Sequence, residues 1–478
     1  MQTLLIILYV YFVSFIDKPE KSAPALSPRA VEQRAKWSIP TDELDYPVCR
    51  MYLDSLQRMG VSIYHTSRWF NGATVEMSTK TAAKVETLGF VTDVEMTRDD
   101  SEPIYSPRKR TKWHDEQTDA QLAMDQLANY TNAQLALYNL HQLHQAGFEG
   151  QGILMTVCDG GFYNANTMSC FRDSTRLGYF DFTDDPYSFY GYTGTHGTEC
   201  LSTISGITEG YYGAATRAKF YLMRSEENDT ESPKEMDNLV AALEKADSLG
   251  VNVFSVSLGY AMFDNGNWTL DKQTELDGQA TRVSRAATIA ARKGMLVCVA
   301  AGNEGNSEWR TISAPADADS VLTIGAVTTD SIPGSFSSYG PTSDNRIKPE
   351  VCAVGVQTTL IYPNGSIVTS NGTSFAAPLI AGMAASLWSA LPDENAMQIR
   401  ERIIRSAHHY NTPDALHQTG YGIPNAWLAY TMPDPMLNTS SPVTDTPYPV
   451  TRKILRNGQI LILRNGLIYN QMGIVIAE

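Results

Sequence analysis

From about residue 113 to residue 432 one pattern recurs: a short apolar run, a turn, a helical run, then another apolar run. "GILMTVCDGG" reads as a buried strand ending in a glycine turn, "GTECLSTISGI" as a helix and "AKFYLMRS" as a strand. "DNLVAALEKADSLG" is a helix with a glycine stop, and the strand "VNVFSVSLG" follows it. "VSRAATIAARKG" is again a helix, before the strands "MLVCVAAGN" and "VLTIGAV". Regular strand–helix alternation demands an α/β fold, with a mainly parallel central sheet and helices on both faces. In such sheets the working residues lie beyond the carboxyl ends of the strands.

The rest of the chain is organised around this region. At 478 residues it exceeds one ordinary domain. Residues 4 to 16 are almost wholly apolar and too short for a typical membrane span, so residues 1–18 read as a signal peptide, with a membrane anchor as the alternative. Residues 19–112 hold strand-like "GVSIYHTSRWF" and "GATVEMS" and helical "STKTAAKVETLG", a small α+β unit. It ends in a charged, Pro-containing run in which Arg108-Lys109-Arg110 is an attractive processing site. Residues 433–450 form a Pro/Ser/Thr linker. Residues 451–478 repeat "ILRNG", each Asn-Gly after an apolar run, as in β-hairpins. No later run reads as long and apolar enough to span a bilayer. The net charge of −15, from 52 acidic and 37 basic residues, excludes a general nucleic-acid binder.

Polar residues punctuate the ends of the apolar elements. Asp159 closes "ILMTVCDGG", His196 lies in "TGTHGTE", and Ser374 lies in "NGTSFAAP". Each has an ordinary reading: a turn aspartate, a locally bonded histidine, a helix-capping serine. Together they suit nucleophilic catalysis. A hydroxyl needs an imidazole to take its proton, and the imidazole needs a carboxylate to fix its tautomer. Asn303 in "VAAGNEG" could donate to an oxyanion, with the Ser374 backbone N–H as a second donor. "SVSLG", residues 255–259, could pair with a peptide as an added strand.

Asp159 in "VCDGGF", His196 in "GTHGT", Asn303 in "AAGNEG" and Ser374 in "NGTSFAAP" resemble the signature set of subtilisin-family serine proteases over roughly residues 135–430. The resemblance implies a secreted or cell-surface endopeptidase. Ser374 would be its nucleophile, His196 its general base and acid, Asp159 the orienter and Asn303 the oxyanion donor. Ser257, Leu258, Gly259, Ala300, Ala301 and Gly302 would line the substrate strand and side-chain pocket. Polypeptides would be the substrates, and residues 19–112 an intramolecular inhibitor. The tail "KILRNGQILILRNGLIYNQMG" is similar to C-terminal segments read by secretion machinery. Two departures stand out. Many relatives carry Asp-Thr-Gly or Asp-Ala-Gly where this chain has Asp159-Gly160-Gly161, and a second histidine where it has Glu199. A catalytically silent peptide-binding module is the alternative, although all four positions are filled.

The chemistry so implied requires no cofactor or metal. Relatives often bind structural calcium, but the acidic run "SEENDTESPKEMD" lacks EF-hand spacing and reads as a solvated loop. His-x-x-Glu alone is a weak metal signal. "CDGGFYNAN" lacks a phosphate-cradling glycine pattern, which argues against a nucleotide binder. Six cysteines are too few for a disulfide scaffold, and Cys158 and Cys298 sit in strand-like runs as small core residues.

Overall fold

A computed structural model describes residues 8–19, 22–99, 133–191, 194–227, 231–264, 268–414 and 416–433, and the backbone of four short strands after residue 450. The Arg108-Lys109-Arg110 run and the 433–450 linker, apart from Pro433, lie outside the described residues.

The first domain is a four-stranded antiparallel sheet with helices. Its elements are β1 (Tyr9–Phe15), α1 (Pro28–Lys36), α2 (Arg50–Arg58), β2 (Ser62–Ser67), β3 (Gly72–Met77), α3 (Thr79–Val85) and β4 (Val91–Asp99). The strand order is β2-β3-β1-β4. Here the structure corrects the reading of residues 1–18. The apolar run supplies β1, an inner strand paired with β3 on one side and β4 on the other. Val10 and Val13 have no exposed surface, and Phe12 and Phe15 are buried beside them. A run that is leader-like by composition is apolar here because both of its faces are covered. The folded N-terminal domain therefore begins no later than residue 9, not at 19.

The second sheet has seven strands, all parallel: β5 (Leu154–Asp159), β6 (Arg176–Asp181), β7 (Lys219–Arg224), β8 (Val253–Val256), β9 (Leu296–Ala300), β10 (Leu322–Val327) and β11 (Val351–Val354). Their order is β11-β10-β9-β8-β5-β7-β6. The expected α/β architecture with helices on both faces is what forms. The helices that matter for the site are α4 (His196–Ser205), α5 (Pro233–Leu249), α6 (Arg282–Arg292) and α7 (Thr373–Ala390). Alternation along each strand sorts side chains between two cores. Met155 and Val157 face the layer holding Leu201, Phe375 and Leu379, whereas Leu154 and Cys158 face Leu239, Leu243 and Ala286. The strand order reverses around β5, and the crevice outside the carboxyl end of such a strand is where α/β sheets bind ligands.

Among the described residues one helix, α7, is long and apolar enough to cross a membrane by composition, contrary to the expectation that no such run exists. It lies inside the domain, with 89% of that window buried. All six cysteines are free and buried. The C-terminal strands β12 (Thr451–Arg456), β13 (Gln459–Arg464), β14 (Leu467–Tyr469) and β15 (Val475–Ala477) pair in sequence order as an antiparallel sheet, a unit separate from residues 1–432.

The role of β1 is open to a direct test. Val13→Asp places a carboxylate between Ala73 and Val94, its cross-strand partners. We expect a loss of at least about 2 kcal/mol in the N-terminal domain, seen as a lower first melting transition of the full chain. An unchanged melt would mean that the run has no part in the fold.

Candidate active site

Asp159 is the last residue of β5 and wholly buried. His196 is the first residue of α4 and also buried. Nδ1 of His196 lies 2.9 and 3.0 Å from the two carboxylate oxygens of Asp159, so the ring donates there and offers Nε2 on its other side. One of those oxygens also accepts the Gly160 N–H at 2.8 Å. The next residue after the histidine must be glycine: a Cβ on Gly197 would meet the Gly161 carbonyl oxygen at 2.4 Å and Asp159 Cβ at 2.9 Å. Burial alone would push the imidazole pKa down. The Asp159 charge beside it wins, and His196 is held well above its ordinary value.

Ser374 is the second residue of α7. Its N–H lies in the first turn, where the helix itself supplies no acceptor. Its carbonyl has a different problem. Pro378, four residues on, lies inside the helix and has no N–H to give. Two side chains supply the missing donors: Ser257 Oγ at 2.7 Å and Cys200 Sγ at 3.3 Å. Ser257, expected to line the substrate strand, thus turns its hydroxyl onto the backbone of Ser374. The Cys200 thiol is also 3.8 and 3.9 Å from the two ring nitrogens of His196, which packs sulfur against the ring. Burial pushes this thiol up to about 12, so it stays protonated. The Phe375 ring lies 5.4 Å from the imidazole, centroid to centroid.

Asn303 is exposed, just past the end of β9. Its Oδ1 accepts both the backbone N–H and the hydroxyl of Thr373, each at 2.9 Å. With the oxygen engaged, the amide NH₂ is the end presented to a ligand. Thr373 Oγ1 in turn accepts the Gly302 N–H at 3.1 Å, which ties the β9 exit to the start of α7. Of the other expected substrate-lining residues, Gly259 is exposed and Gly302 half-buried, while Leu258, Ala300 and Ala301 are buried. Glu199, the second departure, is buried in the first turn of α4 and its pKa is raised by that burial.

Two groups among the described residues have spacing suited to a metal ion. In the first, Asp159, His196 and Cys200, the carboxylate and imidazole already bond each other and the thiol is protonated. The second is Glu226, Glu231 and Glu235. This corrects the reading of the acidic run as a solvated loop: Glu226, Glu227 and Glu235 are buried, and the helix α5 begins at Pro233.

The fold and this constellation define the class: a subtilisin-like serine protease. The chain belongs to the subtilase family, whose model matches residues 150–422. A second model, the peptidase S8 propeptide domain of Bacteroidota, matches residues 10–114, beginning inside β1. Subtilisin DY of Bacillus licheniformis is 29% identical over 280 residues, covering 57% of this chain and 90% of its own length. Subtilisin E of Bacillus subtilis is 28% identical over 268 residues, covering 55% of this chain and 63% of its own length. The match thus spans less than two thirds of subtilisin E. Among solved structures, MycP1 from Mycobacterium smegmatis aligns with a TM-score of 0.52 at 23% identity, covering 67% of this chain and 90% of that one, a likeness of fold.

Ser257 and Pro378 should behave as a coupled pair. Ser257→Ala removes the hydroxyl donor at the Ser374 carbonyl, where the Cys200 thiol is a weak one, and should cost about 1–3 kcal/mol in equilibrium denaturation. In a Pro378→Ala background, where the helix regains its N–H, the same substitution should cost clearly less. Equal costs in both backgrounds would disprove the coupling.

Proposed function

We propose that the chain is the precursor of an exported serine endopeptidase, with the N-terminal domain as its intramolecular inhibitor. Ser374 Oγ attacks the carbonyl carbon of a peptide bond while His196 Nε2 takes its proton. Nδ1–H remains bonded to Asp159, whose charge stabilises the imidazolium that forms. The carbonyl oxygen becomes an oxyanion and receives N–H bonds from the Asn303 amide and the Ser374 backbone. The intermediate collapses, His196 passes its proton to the departing amine, and an ester joins the substrate acyl group to Ser374. Water, activated by the same imidazole, then releases the acid. The substrate lies as an extended strand along residues 257–259 and 300–302.

The observation that carries this reading is the buried Asp159–His196 pair at the sheet edge reached by the N-terminus of α7. Export to the surface or medium is supported by the likeness of residues 453–473 to segments read by secretion machinery. It predicts that a chain truncated after residue 432 is retained in the cell fraction.

For the processed protein, Ser374→Ala should abolish cleavage of a fluorogenic peptide, and Asn303→Ala should lower kcat by about 10²–10³-fold. Hydrolysis that survives Ser374→Ala would sink the mechanism. Peptide binding without hydrolysis by the unaltered protein would point to a silent binding module.

The pH profile carries a signed prediction. The base must be neutral to accept a proton, and Asp159 raises its pKa. The acid limb of kcat/KM should therefore fall above about 6.5, the ordinary imidazole value. Asp159→Asn should move that limb to lower pH and cut kcat by about 10⁴-fold.

A further inference from the structure

Glu199 stands where many relatives carry a second histidine. It is the fourth residue of α4, three after His196, and side chains at that spacing share one face of a helix. Only 4% of its surface is exposed, against 5% for His196 and none for Asp159. Three ionisable groups thus sit together out of water, where charges act on one another strongly.

The elements around α4 add no further charge. Helix α7 packs against it and carries no ionisable side chain between Thr373 and Ala390. The short strand Thr358–Ile361, also packed on α4, carries none. Strand β5 contributes Asp159, since Cys158 faces the other core. The loop after β5 reaches α4 through the Tyr163 carbonyl, which accepts the Thr198 hydroxyl at 2.8 Å. On α4 itself the Cys200 thiol stays protonated. Among the described residues, the charges acting on Glu199 are therefore those of His196 and Asp159.

Burial drives the Glu199 carboxyl up. A bond to Thr195 and the His196 charge hold it down, and Asp159 adds to the rise. A carboxyl ordinarily titrates well below an imidazole, and His196 is itself held well above its ordinary value. Glu199 thus ionises first as pH rises, and His196 gives up its proton in the field of two carboxylates. The second carboxylate also favours the imidazolium that forms when Ser374 loses its proton.

We propose that Glu199 is a positioning residue of the catalytic histidine, acting through its charge together with Asp159, and that it sets the lower pH limit of hydrolysis while strengthening His196 as a base. This rests on the endopeptidase reading above. A neutral residue at this place would leave an imidazole that is free at lower pH but is a weaker base.

The test compares the full chain after its own processing with its Glu199→Gln and Glu199→Asp variants, on one fluorogenic peptide across pH. Glu199→Gln should move the acid limb of kcat/KM down by about one pH unit. At a pH on that limb the variant should therefore be about tenfold faster than the unaltered protein, while its plateau rate is lower. Glu199→Asp keeps the charge and should keep the limb near its original place. A packing defect lowers the rate at every pH and cannot produce the crossing. The downfield Nδ1–H resonance of His196 gives a second reading that needs no processing, in the full-length Ser374→Ala precursor with and without Glu199→Gln. Its titration midpoint should fall with the added substitution. An unmoved midpoint, superposable limbs, or a uniform loss of rate with the limb in place would each overturn the proposal and leave the endopeptidase reading intact. Absence of hydrolysis by the unaltered chain would remove that reading and the role of Glu199 in catalysis with it.

Discussion

The bond between His196 Nδ1–H and the Asp159 carboxylate sets the terms for the rest of the molecule. Both partners are buried, so neither can be solvated if the other moves away. An unpaired carboxylate in that position would be costly to keep charged. The pair therefore fixes where α4 must begin relative to the end of β5. The requirement reaches into the backbone at Gly197, where any side chain would collide with Gly161 and Asp159. A parallel sheet whose order reverses at β5 is the scaffold that opens a crevice at this point.

The start of α7 is held to that pair from three directions. Ser257 and Cys200 bond the Ser374 carbonyl, one from the exit of β8 and one from α4. Thr373 bonds Asn303 and Gly302 at the exit of β9. Pro378 gives these contacts their purpose: it releases the Ser374 carbonyl from the helix ladder and makes it available to side chains from other elements. A regular helix would have satisfied that carbonyl internally and left its first turn less firmly attached. The proline thus converts a local defect into a long-range anchor. Such anchoring is what a site needs if a hydroxyl, an imidazole and an amide are to meet within a fraction of an ångström.

Much of this was legible in the sequence, for identifiable reasons. Strands β5, β8 and β9 are covered on both faces, so they read as continuous apolar runs, and "ILMTVCD", "VNVFSV" and "MLVCVA" announced themselves, whereas the edge strand β6 alternates half-buried and exposed positions. Asp159, His196, Asn303 and Ser374 stood out as polar residues at the ends of such runs. The reading of residues 4–16 misled because a strand buried on both faces and a leader core share the same composition. Only pairing partners distinguish them, and for Val13 those lie 60 and 81 residues away, at Ala73 and Val94. The acidic run misled for the converse reason. Carboxylates are usually solvated, and burial of Glu227 depends on Lys234, close in sequence, and on Arg98, far from it. The role of Ser257 was hidden as well, since its partner is a backbone carbonyl 117 residues away.

The contact between the N-terminal domain and the sheet domain follows from the same need to partner buried charges. Helix α5 presents Asp237, Glu244 and Asp247 to it. Glu244 accepts the Ser67 hydroxyl and the backbone N–H groups of Arg68 and Trp69. Asp247 receives Arg34 at 2.8 Å and Arg68 at 2.5 Å. Lys293 reaches back to Asp42 and Asp45 of the N-terminal domain, and Arg282 bridges Asp237 to Glu95. While the domains are together these pairs define one docking register, because a shift would strand charges away from water. Once apart, each charged group regains solvent. The contact is apolar as well: Trp69 of the N-terminal domain is buried in the same cluster as Leu154, Leu239 and Leu243. The charged pairs thus set the register of a contact whose apolar part includes Trp69.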